Sequence, residues 1–471
     1  MSCPFSGKGT GPTRRGLLAG AGGALASAGA ASLARATPQV LQGEAELHEP
    51  FFGPHQGGIA TSQQTHSYFA AFDCLAKSRD ELATMLQVWT AAAARMSAGD
   101  TARDLGQNVS VEGPDGGSAL GLPPRRLTIT FGFGAGLFSK DGSDRYGLAA
   151  KRPAALVDLP KFNGDQLDPA RAGGDVSVQA CADDPVVAFH AVRELARLSY
   201  GAAQFRWVQA GILPQAPADE TPRNLMGFKD GTNNPRRTGT SVSPDSPRSF
   251  DEVVWVGDEG PDWMRGGSYL VARRIRISLE HWDRSEIDFQ EQVIGRHKYS
   301  GAPIGKSAER DNLDLDRVDA DGNPAIADNA HVRLGAVATN GGAQIFRRPY
   351  SYNDGVRFTA ERWPPWRQGM MCDAGLFFIC YQRDPREGFI KIYENMSRLD
   401  ALNQFTTHTG GASSRARAAY MKASLSVRGC SSVVPQPVQF RRSRSWLVAR
   451  TGLTRPTRFD RSLNTFGGAP S

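Results

Sequence analysis

The stretch MGFKDGTNNP, residues 226–235, places an acid, Asp230, between two residues suited to a tight bend. Gly227 and Gly231 reach backbone angles closed to other residues, and Asn233, Asn234 and Pro235 stop a helix or inner strand from continuing, so the stretch reads as a loop. A loop carboxylate is most often solvated or caps a turn. Reactive use of Asp230 needs partners, and two stretches supply candidates: NAHVRL, with His331 and Arg333, and IFRRPY, with Arg347 and Arg348. One His, one Asp and one or two Arg suit peroxide chemistry, because an imidazole can hold a haem iron while a carboxylate and a guanidinium act on peroxide opposite it. Composition alone does not establish that use. The chain has eight histidines, and a surface or core role is several times commoner for any one of them than iron ligation.

The elements that must position these residues alternate in period. Residues 66–75 read as a strand, Leu82, Met85, Leu86 and Trp89 fall at helical spacing, and residues 127–131 are again strand-like. Residues 175–181 alternate as a strand, Asp184 and Pro185 supply an N-cap and a first-turn proline, a helix runs to about residue 198, and 205–213 is a strand. This β-α-β-β-α-β order predicts a ferredoxin-like unit over residues 37–222. A second such unit is expected over 223–411, with a strand at 268–277, one helix at 279–294, strands at 343–350 and 375–381, and a helix capped by Asp384 and Pro385. In both halves the Asp-Pro cap follows a strand that holds a cysteine, Cys181 or Cys380, a weak internal repeat. The fold class is therefore α+β, two units with antiparallel sheets.

Residues 1–36 read as an address: Lys8, Arg14 and Arg15 precede a Gly/Ala/Leu run that ends at a small-x-small site, Ala34 to Ala36. The paired arginines point to twin-arginine export, hence to the periplasm or cell exterior. No later segment is long and apolar enough to span a bilayer. The six cysteines lack Cys-x-x-Cys spacing and offer no zinc site or covalent haem attachment. The net charge of +7 is unevenly placed, with eleven Lys and Arg against one acid from Ala412 onward. The core between address and tail is mildly acidic, which argues against nucleic acid as a partner.

With these motifs in order, the sequence resembles the dye-decolourising peroxidases, a haem family marked by Gly-x-x-Asp-Gly, here Gly227 to Gly231. Within it, the chain is most similar to the twin-arginine-exported deferrochelatase/peroxidase branch of ferrous-iron uptake systems. The likeness runs from about residue 51 to 411 and includes FFGPHQGGI, GDVSVQAC, GFKDGTNNP, VVWV, GGSYLVARRIR, HWDR, HVRL, RRPYSY and LFFICYQRDPREGF.

The resemblance implies a dimeric α+β-barrel type of fold with one haem b per chain, held in the C-terminal unit. His331 matches the axial histidine, with Asp400, or in competition Glu394, as the carboxylate behind its ring. Asp230 matches the distal acid that takes a proton from hydrogen peroxide and returns it to the departing oxygen. Arg347 matches the distal arginine that stabilises developing negative charge and reaches a propionate. Arg333 is a further propionate candidate and Arg348 a structural residue. Leu376 and Phe378, two apart on a strand, are expected to line the distal pocket. A free aspartate has a pKa near ~3.9, so the reading predicts an acidic optimum. The implied partners are hydrogen peroxide, dye-like or phenolic donors or porphyrin, iron-uptake components and further copies of the chain as a homo-oligomer. Trp363 and Trp366 are candidate electron relays. A second reading is a haem-binding component of iron acquisition that does not turn over peroxide.

After residue 411 the family pattern stops, and Arg, Ser and Ala abound, as in a GC-rich gene read out of frame. Read from the third base of its first codon, Ala-Tyr-Met-Lys-Ala permits apolar, His or Tyr, Glu, then Gly or Ser. The expectation is a frameshifted, disordered tail over 412–471 and a second unit without its closing strand; the alternative is a basic extension that binds a partner or membrane surface.

Overall fold

The structure, a computed structural model, describes residues 48–106, 113–217, 220–236, 248–360 and 368–416, with 413–416 as backbone alone. The leader read at 1–36, Trp363, Trp366 and the tail beyond 416 lie outside the described residues. In the N-terminal half, β1 (His66–Cys74), α1 (Arg79–Ser97), β2 (Thr128–Gly134), β3 (Val176–Ala182), α2 (Pro185–Leu198) and β4 (Ala203–Ile212) pair antiparallel in the order β2-β3-β1-β4. Local chemistry sets both helix starts. Ser78 accepts from the Glu81 amide ahead of α1, and Asp184 accepts from the amides of Val186 and Val187 ahead of α2, with Pro185 in the first turn. The helical stripe Leu82, Met85, Leu86, Trp89 and Met96 then packs onto the sheet.

A short α3 (Phe250–Val254) leads to β5 (Ser268–Ile277), α4 (Leu279–Trp282), α5 (Ile287–Ile294), α6 (His331–Leu334), β6 (Phe346–Arg347), β7 (Tyr350–Ala360), β8 (Gln368–Gln382), α7 (Lys391–Leu399) and β9 (Thr406–Ala416). Here the order is β9-β5-β8-β7, the same topology as in the first half. The sheets join where β4 meets β7 and where β2 meets β9, closing a barrel. Phe69, Trp207, Phe377, Ile379 and Tyr381 fill its interior, and the main helices cover its outside.

Three expectations are corrected. The helix expected at 279–294 is two helices, because the buried Gln290 side chain donates to the carbonyls of Trp282 and Ser285 and ends α4. The second strand lies at Tyr350–Ala360 rather than 343–350, where only the two-residue β6 forms. The closing strand is present: β9 pairs with β5 along Ser268–Ile277. Backbone pairing needs no apolar alternation, and glycines allow the close approach. A Cβ on Gly411 would lie 2.3 Å from the Ala272 carbonyl oxygen.

Candidate active site

On the outer face of β5 and β8, Ile275, Ile277, Leu376 and Phe378 form one wall of a cavity, and Ile294, Val332 and Met396 from α5, α6 and α7 form the wall opposite. Strand alternation explains the division of β8. Leu376 and Phe378 face the cavity while Phe377 and Ile379 are fully buried in the barrel.

His331 opens α6 and lines the cavity. Its Nδ1 donates to Asp400 Oδ2 at 2.7 Å, which leaves Nε2 as the ring's free lone pair. Asp400 is 6% exposed and serves two ends: its Oδ1 accepts from the Leu402 amide at 2.8 Å, fixing the turn after α7. The hydrogen bond from Ala401 N to Asn329 O ties that turn to the segment before His331. Burial alone lowers the pKa of the His331 imidazole, but the charge and hydrogen bond of Asp400 outweigh it, and the net shift is upward from 6.5. Glu394 instead lies beside Arg398 on the exposed face of α7, 3.6 Å away.

Asp230 and Arg347 also line the cavity, and Arg347 Nη1 donates to Asp230 Oδ1 at 2.7 Å. Gly227 and Gly231 both adopt positive φ, 85° and 122°, so the bends around Asp230 need glycine for torsional reasons. The loop is anchored by Lys229, itself on the cavity wall, which bonds Glu309 at 2.6 Å and Glu220 at 3.1 Å. Glu309 also accepts from the hydroxyls of Thr221 and Thr232. Arg348 points the opposite way from Arg347, is 1% exposed, and bonds the Thr61 carbonyl and Gln64.

Arg333 is not brought into this set. Its guanidinium donates to the carbonyls of Ile326 at 2.9 Å and Leu315 at 2.7 Å, so it braces the loop before α6 and is absent from the cavity wall. Sequence reasoning passed over Ile275, Met396, Tyr393 and His408, all on the wall. For Ile275 the signal was available, since it lies two residues before Ile277 on an alternating strand.

The donor set fits a haem. A carboxylate-backed imidazole with one free nitrogen and a carboxylate–guanidinium pair line the same cavity. Both pairs are close enough that the charges of Arg347 and Asp230 act on His331. The apolar walls between them suit a flat macrocycle.

Comparison with known proteins gives the family. Residues 56–213 match the model of the Dyp-type peroxidase N-terminal domain and residues 221–419 that of the C-terminal domain. The chain is 36% identical to the dye-decolorizing peroxidase of Thermobifida fusca, over 85% of this chain and 93% of that one. It is 34% identical to the deferrochelatase of Escherichia coli K12, over 85% and 92%. The structure of ferric DtpA from Streptomyces lividans superposes with a TM-score of 0.71 at 38% identity, covering 82% of this chain and 98% of that one. Fold and site thus define a haem peroxidase on an α+β barrel. The chain belongs to the Dyp-type peroxidase family, and the protein is a haem-dependent enzyme of that type.

Proposed function

We propose that the protein reduces hydrogen peroxide at the expense of bulky phenolic or dye-like donors, with His331 as the residue that would hold the haem iron and Asp230 and Arg347 as the pair that would act on peroxide. The observation that carries this reading is the single cavity in which the His331–Asp400 pair and the Asp230–Arg347 pair both stand. Haem bound there supplies the redox chemistry, passing two electrons from the donors to peroxide. His331 presents Nε2, kept in the right tautomer because Nδ1–H is held by Asp400. Asp230 accepts a proton from hydrogen peroxide at the carboxylate oxygen that Arg347 leaves free and returns it to the departing oxygen, which leaves as water. The fixed charge of Arg347 stabilises the negative charge that develops on that oxygen. Arg333 does not serve as a propionate contact in this reading, since it is not on the cavity wall and its Nε and Nη2 bond the carbonyls of Ile326 and Leu315.

Stopped-flow absorbance tests these roles. Asp230→Ala and Arg347→Ala should each slow the peroxide-driven change of the Soret band by roughly a hundredfold or more. Parental rates in both would overturn the assignment.

A second reading, iron release from haem, is favoured by the similarity to relatives named deferrochelatase. Incubation with haem under air, with and without peroxide, separates the two through donor oxidation and metal-free porphyrin. Export to the periplasm or cell exterior rests on Arg14 and Arg15; replacing both by Lys should retain the protein in the cytoplasm. Contacts with iron-uptake components and assembly into a homo-oligomer rest on the family resemblance alone.

A further inference from the structure

We infer that Asn234 is a positioning residue that sets the geometry of the Asp230–Arg347 pair by clasping the Arg347 backbone. The inference rests on the roles proposed for Asp230 and Arg347. β6 has only two residues and pairs on one edge with β8, Arg347 lying opposite Cys380. Its other edge is met by one side chain. Asn234 Nδ2 donates to the Arg347 carbonyl at 2.8 Å, and the Arg347 amide donates to Asn234 Oδ1 at 3.0 Å. The side-chain amide thus replaces a neighbouring strand, and only one orientation of it satisfies both bonds.

The clasp closes a ring. Asp230 and Asn234 lie four residues apart in one loop, whose turn is closed by the Asn234 amide donating to the Gly231 carbonyl at 3.0 Å. Arg347 then meets that loop twice, by its backbone at Asn234 and by its guanidinium at Asp230. Arg347 has a long, rotatable side chain, so without the clasp its base could shift relative to the loop and carry the guanidinium off the carboxylate. A misplacement of about 1 Å in a reacting pair can cost on the order of a hundredfold in rate. The neighbouring Asn233 is exposed and lines the cavity mouth rather than bonding the β6 backbone. Asn is the residue the geometry requires at 234, because an aspartate accepts but cannot donate and a serine cannot span both groups.

The test uses haem-loaded protein and a double-mutant cycle: Asn234→Ala, Asp230→Ala and the pair together, read by the stopped-flow Soret change on mixing with hydrogen peroxide. Asn234→Ala should slow the reaction roughly tenfold to a hundredfold when Asp230 is present and by less than about twofold when position 230 is already alanine. Haem affinity, measured by titrating haem into apoprotein, should change by less than about twofold, because Asn234 is not among the cavity-lining residues. A parental rate in Asn234→Ala overturns the inference, as does an equal loss in both backgrounds or a loss of haem. Should Asn234→Ala fail to fold, Asn234→Asp, which keeps the acceptor and removes the donor, is judged on the same criteria. If Asp230→Ala itself reacts at the parental rate, the distal assignment fails, an outcome distinct from failure of the clasp.

Discussion

The two halves of the barrel share a strand order and differ in what lies between sheet and helices. In the N-terminal half α1 and α2 run 19 and 14 residues without interruption and lie directly on the sheet. Trp89 is fully buried there, edge-on to Phe72, with its indole nitrogen bonded to the Leu195 carbonyl at 2.7 Å. In the C-terminal half α5 has only 8 residues, α7 with its 9 residues continues from a five-residue π-turn at Arg386–Ile390, and a long excursion from 295 to 345 carries α6 between them. That half keeps its apolar walls but not the side chains that would fill the space between them. The difference teaches how one scaffold serves two ends: it packs shut in one half and leaves in the other the cavity proposed above to take the haem.

The largest expected effect falls on the hollow half. His331→Ala should abolish the Soret band of protein reconstituted with haem, while far-ultraviolet circular dichroism stays unchanged. The ligand is lost, but no packed contact of the barrel goes with it. A full Soret band in this variant would mean that iron is held elsewhere.

Truncation of one wall residue in each half sharpens the contrast. Trp89→Ala should cost about 3–5 kcal/mol of stability in chemical unfolding of the apoprotein, the range for emptying a packed aromatic site. Leu376→Ala should cost no more than about 1 kcal/mol, since part of its side chain already faces open space, yet it should alter the haem spectrum. Equal losses would show that the C-terminal cavity is packed shut in solution.

The N-terminal unit was legible in the sequence because its information is local. The apolar run of β1, the alternation of β3, the apolar stripe of α1 and the cap at Asp184 each declare themselves within a few residues. The C-terminal unit depends on contacts distant in sequence. The stop of α4 is written in Gln290, eight residues beyond Trp282. β7 carries Asn353, Asp354 and Gly355 where an alternating pattern would have marked a strand, and it is held by pairing with β8. The site follows the same rule. Motif likeness led to Asp230, His331 and Arg347, and the structure selects Asp400 over Glu394 because only one of the two reaches His331. Arg333 shares the motif of His331 but not its direction, a difference that the spacing on a four-residue helix does not encode.

The smallest expected effect concerns a group on the cavity wall that works against the acidic optimum expected for peroxide turnover. His408 is 7% exposed on β9, opposite Ile275, and its Nδ1 accepts from Arg273 Nε at 3.0 Å. Burial, and then the Arg273 charge, hold its pKa well below 6.5. The folded protein therefore keeps this imidazole neutral, whereas the unfolded chain binds a proton once the pH falls below about 6.5. Its contribution to stability is complete above that pH and is lost progressively below it, at up to about 1.4 kcal/mol per pH unit for one proton. His408→Gln retains an acceptor for Arg273 and removes the titration. Urea unfolding of the two apoproteins at pH 7, 6 and 5 should give curves whose stabilities converge as the pH falls, the parent losing more than the variant at each step. Parallel loss in both would assign the acid sensitivity to other groups. Convergence would instead place the acid limit of the enzyme on the wall of the cavity in which it works.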